Sequence, residues 1–154
     1  MAIDFTVENN TGLSTATSYI SVADFKQYWE NRGVLLIDVD GVYEVWLNEA
    51  TYFIGNNFDF CGEPVNDTQA LSFPNSLYSE VPKQVKNAQC EIAYSRQANP
   101  SLTFKENGIK SKRIGPVNIS YESMNASEIK KQYTVAYQQL RKICQLKTGY
   151  IERC

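Results

Sequence analysis

Histidine is absent from the 154-residue chain. That excludes Ser-His-Asp and Cys-His nucleophilic catalysis and any His-ligated metal centre. Cysteine is sparse: Cys61, Cys90, Cys144 and Cys154 show no C-x-x-C spacing, which argues against zinc. No run approaches the ~20 apolar residues of a membrane span. The opening Met1-Ala2-Ile3-Asp4-Phe5 has neither a basic region nor an apolar stretch, so no signal peptide is expected. These features predict a reduced, cytoplasmic chain with free thiols. No Gly-rich phosphate loop of the Walker or dinucleotide type occurs.

Bases are scarce in the first half. Residues 1–80 hold twelve acids against two bases, and residues 81–154 hold five acids against thirteen bases. The overall charge is nonetheless only −2. Three readings are open: a nucleic-acid-binding second half, a subunit whose opposite flanks attract its neighbours, or halves that interleave so that the field averages out. Hydrophobic residues make up 43% of the chain, enough for a single domain over 1–154 that buries roughly two-thirds of its unfolded surface. The 10 tyrosines suit either the rim of a core or an interface.

Apolar spacing predicts the elements. Residues 1–20 are polar and extended. Ser21 opens a first helix in a capping-box pattern with Asp24, buries Val22, Phe25, Tyr28 and Trp29, and Gly33 closes it. A second helix starts near Asp38 or Asp40, either able to cap it, carries Val42, Val45, Trp46, Glu49, Ala50 and Phe53 as its stripe, and stops at Gly55-Asn56-Asn57. A long connection over 56–80 is expected to be pinned by Phe58, Phe60, Leu71, Phe73 and Leu77. Pro82 starts a third helix that buries Val85, Ala88, Ile92 and Ala93 and stops before Asn99-Pro100. Alternation over 109–121 around Gly115-Pro116 reads as a β-hairpin. A last helix from Ser127 to Leu146 carries Ile129, Tyr133, Ala136, Leu140 and Ile143. The expected fold is mostly α: a small four-helix bundle with a β-hairpin or loop inserted between the third and fourth helices. Residues 147–154 are expected to form a mobile tail.

Chemistry is thin. No carboxylate pair is singled out by spacing. Asp38 and Asp40 flank Val39 as a helix cap and solvated loop do, rather than as a cation site. Cys90 and Cys144 fall in helical segments and suit small buried hydrophobes. No catalytic, cofactor-binding or metal-ligating residue is nominated, and the chain is not expected to be an enzyme. Lys110, Lys112 and Arg113, with Lys105 just before them, form a basic hairpin, and Phe104 and Tyr121 lie near enough in sequence to stack on bases. Contact with an acidic neighbouring subunit, protection of a sheet edge and nucleic-acid binding are the readings, in that order.

Four short blocks remain. They are Thr11-Gly12 followed by Ala16-Thr17-Ser18-Tyr19-Ile20-Ser21; Glu49-Ala50-Thr51-Tyr52-Phe53-Ile54-Gly55; Gln69-Ala70-Leu71-Ser72-Phe73-Pro74; and Ile114-Gly115-Pro116-Val117. In this order they resemble the head–tail adaptor (neck connector) proteins of tailed bacteriophages, a group often labelled "putative DnaT-like single-stranded-DNA-binding protein". Similar sequences usually carry Trp-Pro-Arg in the third block, where this chain has Phe73-Pro74-Asn75. The resemblance implies a structural virion protein without cofactor. Its copies would form a ring, typically of twelve, below the portal, connecting the capsid to the tail or the next neck protein. Genomic DNA would pass through the channel without specific binding, and no membrane would be involved. The location implied is the neck of the virion, and the host cytoplasm during assembly. Lys110, Lys112 and Arg113 would then serve as a subunit-contact hairpin, and Leu146, Tyr150 and Ile151 as a portal-docking tail. The alternative implied by the label is a single-stranded-DNA-binding module.

Overall fold

The computed structural model describes residues 3–98, 111–114, 117–120 and 134–146. Its elements are α1 (Val22–Glu30), α2 (Asp40–Asn57), β1 (Phe58–Phe60), α3 (Lys83–Ala98), β2 (Ser111–Ile114), β3 (Val117–Ser120), α4 (Thr134–Leu140) and β4 (Cys144–Leu146). The chain is mostly α-helical, as expected. The helices do not form an evenly packed bundle among the described residues. Instead α3 is the hub, packed extensively against α2 and α4 and more lightly against α1.

Each helix has a local cause. Ser21 caps α1: its Oγ accepts the Asp24 N–H at 3.1 Å and donates to the Asp24 carboxylate at 2.9 Å. Past the helix end, Gly33 takes φ +76° and its N–H returns to the Glu30 carbonyl, a left-handed stop that favours glycine. Helix α2 departs from expectation at its start. Its N-cap is Val39, with no side-chain cap. Asp38 precedes that cap and its N–H goes to the Tyr43 hydroxyl at 2.8 Å. Asp40 lies inside the first turn and pairs with Lys26.

The buried stripe of α2 is rotated by one residue from the predicted one. Tyr43, Leu47, Ala50, Thr51 and Ile54 face the core, whereas Val42, Val45, Trp46, Glu49 and Phe53 are half-buried. The helix is apolar around much of its circumference, so spacing alone does not say which of two adjacent stripes is innermost. Asn56 and Asn57 do end it, each amide donating to the carbonyl four residues back, at 2.9 and 2.8 Å. Helix α3 buries Val85, Ala88, Ile92 and Ala93 as expected, together with Gln89 and Cys90.

Antiparallel pairing of β2 with β3 places Lys112 opposite Ile119 and Arg113 opposite Asn118. The predicted last helix is shorter within the described residues. It ends at Leu140, turns over 141–143, and becomes β4. That strand pairs antiparallel with β1, Phe58 opposite Leu146 and Phe60 opposite Cys144. The apolar period that continues through Ile143 masks this change, because the last residue of the turn is half-buried as a helix residue at that spacing would be. Ser127, Ile129 and Tyr133 lie outside the described residues.

The core centres on Phe25, Tyr43, Leu47, Ile54, Phe73, Val85 and Leu140, all fully buried. Phe73 organises the connection before α3, meeting Phe60, Tyr78 and Tyr19 edge-on at centroid distances of 4.8, 5.7 and 6.2 Å. Leu77, expected among the pins, is 63% exposed; the neighbouring Tyr78 takes the packing position instead. Among the described tyrosines, Tyr19 and Tyr43 are core and Tyr28, Tyr78, Tyr94 and Tyr137 pack on its rim. The free-thiol expectation fails at Cys61, which is disulfide-bonded. Cys90 is a free, buried thiol.

Candidate nucleic-acid interface

The first and third sequence blocks are knitted together by buried polar groups. Glu8, only 6% exposed, accepts three backbone N–H groups: Thr11 at 3.0 Å and Gly12 at 2.9 Å on Oε1, and Leu13 at 2.9 Å on Oε2. Such a nest of amides suits a carboxylate. Gly12 closes it at φ +75°, and a Cβ there would lie 2.6 Å from Asn66 Nδ2 and 2.7 Å from Gln69 Oε1. Asn66 donates to the Thr11 and Gly12 carbonyls at 3.2 and 2.9 Å, and Gln69 to the carbonyls of Leu71 and Pro74 at 2.6 and 2.7 Å. Thr11-Gly12 and the block at 69–74 are therefore one unit.

A second knot sits deeper. The Gln89 amide donates to Ser18 Oγ at 2.7 Å and to the Leu47 carbonyl at 3.1 Å, and accepts the Tyr19 N–H at 3.1 Å. The Tyr19 hydroxyl accepts the Ser72 N–H at 3.2 Å, and burial pushes that phenol up to about 12. Sequence reasoning missed Gln89, because a lone glutamine in a helical stripe carries no local signal of its partners.

What these blocks leave on the surface is an open groove of about 780 Å³ along α2. Helix α2 contributes Asn48, Glu49, Thr51, Tyr52, Gly55 and Asn56. Thr17 closes one part, and Ala70 with Leu71 another. Three of the four blocks thus meet in one groove, and Asn48 and Asn56 flank the second of them. Tyr52 is 70% exposed, presenting an unburied ring. Gly55 adds no side chain, and nothing lies within 4 Å of where its Cβ would be.

Glu49 is the charged member of this lining among the described residues. Arg96 of α3 holds it, with Nη2 donating to Oε1 at 2.7 Å and Nε 2.5 Å from Oε2. Burial nevertheless raises its pKa, and the Arg96 charge only partly offsets this. The groove therefore offers a neutral to acidic wall, with amide edges and one open aromatic ring.

Of the residues nominated from the sequence, Lys112 and Arg113 lie in β2 and Leu146 in β4. Leu146 is a ladder residue opposite Phe58. Lys110, Tyr150 and Ile151 lie outside the described residues, as do Phe104, Lys105 and Tyr121. Exposed bases on described helical and turn positions are Arg32 after α1, Lys83 and Lys86 of α3, and Arg141 and Lys142 after α4. No cluster of three or more His, Cys, Asp or Glu side chains suited to a metal occurs among the described residues. No helix among them is long and apolar enough to cross a membrane.

A family model described as "Putative DnaT-like ssDNA binding protein" matches residues 3–153. The chain belongs to that family. Neither the curated proteins nor the solved structures contain a match. Membership in the DnaT-like family corrects the reading placed first from sequence. The family description names single-stranded DNA, the alternative carried by the label, and says nothing of a head, tail or portal. Two of the short blocks that carried the adaptor reading, the first and the third, have a structural role in the two polar knots.

Proposed function

We propose that this protein is a single-stranded-DNA-binding module of the DnaT-like family. The match over residues 3–153 carries the reading. Charge supports its layout. Phosphates need bases, and the second half supplies thirteen against five acids. In this reading the β2–β3 hairpin, which falls between α3 and α4 in the sequence, contributes Lys112 and Arg113 to the backbone contacts, as a positively charged element that tracks a strand does.

Fluorescence anisotropy with a labelled single-stranded oligonucleotide tests this across a salt series. Binding should weaken with salt by a slope of about −0.7 per phosphate neutralised. Reversal of both hairpin bases, Lys112→Glu with Arg113→Glu, should make that slope shallower by about 1.4 if each contacts one phosphate. An unchanged slope would remove the hairpin from the interface. No binding at low salt would remove the function.

A further inference from the structure

We infer that the groove along α2 is a subsite for a single unpaired nucleobase, stacked on Tyr52. This rests on the single-stranded-DNA reading and specifies which chemical part of the strand the groove takes.

Three observations lead there. Tyr52 is a large aromatic side chain left 70% exposed, at the edge of a cavity, rather than packed. An exposed ring of this kind is the stacking platform that single-strand binders use, since every base has a π-face. The cavity, about 780 Å³, falls in the range of small-molecule sites and leaves ample room for one base with its sugar. The charged group in its described lining is the Glu49 carboxylate, already held by Arg96, so the lining offers a phosphate no cation and suits a neutral base.

The amides complete the chemistry. The Asn56 Nδ2 is engaged with the Tyr52 carbonyl at 2.9 Å, which leaves its Oδ1 as an acceptor at the rim. The same bond ties Asn56 to the turn of helix that carries Tyr52. Asn48 adds a second amide side chain to the lining. Amide oxygens accept from the exocyclic amino and ring N–H groups of bases. The platform is also rigid: Tyr52 rides on a helix whose neighbours Ala50, Thr51 and Ile54 are core residues. Little ordering is therefore needed when a base arrives.

Two oligonucleotides of equal length test this, one with bases and one abasic throughout. The native protein should bind the base-bearing strand at least about ten-fold more tightly, the scale of one stacked base. Tyr52→Ala should remove most of that difference, and Tyr52→Phe should retain it because the ring remains. Gly55→Leu places a side chain into the groove where nothing obstructs it, and should weaken base-dependent binding while the circular dichroism spectrum and melting temperature are preserved. Equal binding of the two strands by the native protein would overturn the base subsite while leaving single-strand binding standing on phosphates. Retention of the full difference by both Tyr52→Ala and Gly55→Leu would overturn it as well. If neither strand binds at any salt concentration, the parent reading falls and the subsite with it.

Discussion

Gln89 and Ser18, 71 residues apart, meet in the core with the Gln89 amide donating to the Ser18 hydroxyl at 2.7 Å. Both are fully buried. The same amide holds the Tyr19 N–H and the Leu47 carbonyl, so one side chain fastens the N-terminal segment to α2 and α3. Replacing Gln89 by Leu keeps the side-chain size but strands the buried Tyr19 N–H, while the Leu47 carbonyl keeps the Thr51 hydroxyl and Ser18 Oγ keeps Ile20. Such a loss costs about 1–3 kcal/mol, and we expect a destabilisation in that range in urea unfolding. Leu35→Ser, at a position 77% exposed, should change stability by less than about 0.5 kcal/mol and serves as the comparison.

Gly12 and Gly55 should respond oppositely to alanine. At Gly12 the backbone is left-handed and the new Cβ would press on Asn66 and Gln69; a loss of about 2 kcal/mol is expected. At Gly55 the site is helical with open space around it, so alanine should stabilise by about 0.5–1 kcal/mol. Paired thermal melts check both signs.

Glu49 gives a pH dependence whose sign follows from its raised pKa. Burial is the larger cause and Arg96 opposes it. With the folded pKa above the unfolded one, the folded state binds the proton more readily in the window between them. This contribution therefore favours folding at low pH and is lost as pH rises through the folded value. Glu49→Gln should remove that part of the fall. Urea midpoints compared from about pH 4 to about pH 7 should fall more for the native protein than for Glu49→Gln as pH rises. Parallel profiles would mean that Arg96 fully offsets burial, and a native protein that gains on the variant would mean that Arg96 outweighs it.

The cysteine chemistry is directly countable. With four cysteines in the chain and one disulfide at Cys61, unfolding without reductant should expose two reactive thiols, and reduction should expose four. Burial pushes the Cys90 thiol up, so its alkylation should require unfolding. Peptide mass mapping before and after denaturant reads both. Four thiols without reductant would contradict the disulfide.

Local signals carried much of the helical layout. The Ser21–Asp24 cap, the Gly33 stop, the face of α3 and the Gly115-Pro116 break between two strands are each written within a few residues. The failures share a cause of longer range. The rotation of the α2 stripe depends on which side α3 packs. The strand at Cys144–Leu146 exists because Phe58–Phe60 lies beside it, and no local pattern announces that pairing. The groove was illegible for the same reason. Tyr52, Thr17 and Leu71 come from three segments, and only the Glu8 and Gln89 knots bring their blocks together. The basic hairpin was legible as charge, but charge alone did not choose between a subunit, an edge and a nucleic acid.

Titration of a labelled single-stranded oligonucleotide at low salt, set beside a duplex of the same sequence, tests the central claim most directly. The account predicts that the single strand binds and the duplex binds more weakly, because a paired base cannot enter the groove at Tyr52, and that added salt weakens both. Failure to bind the single strand, or equal binding of the two forms, would contradict it.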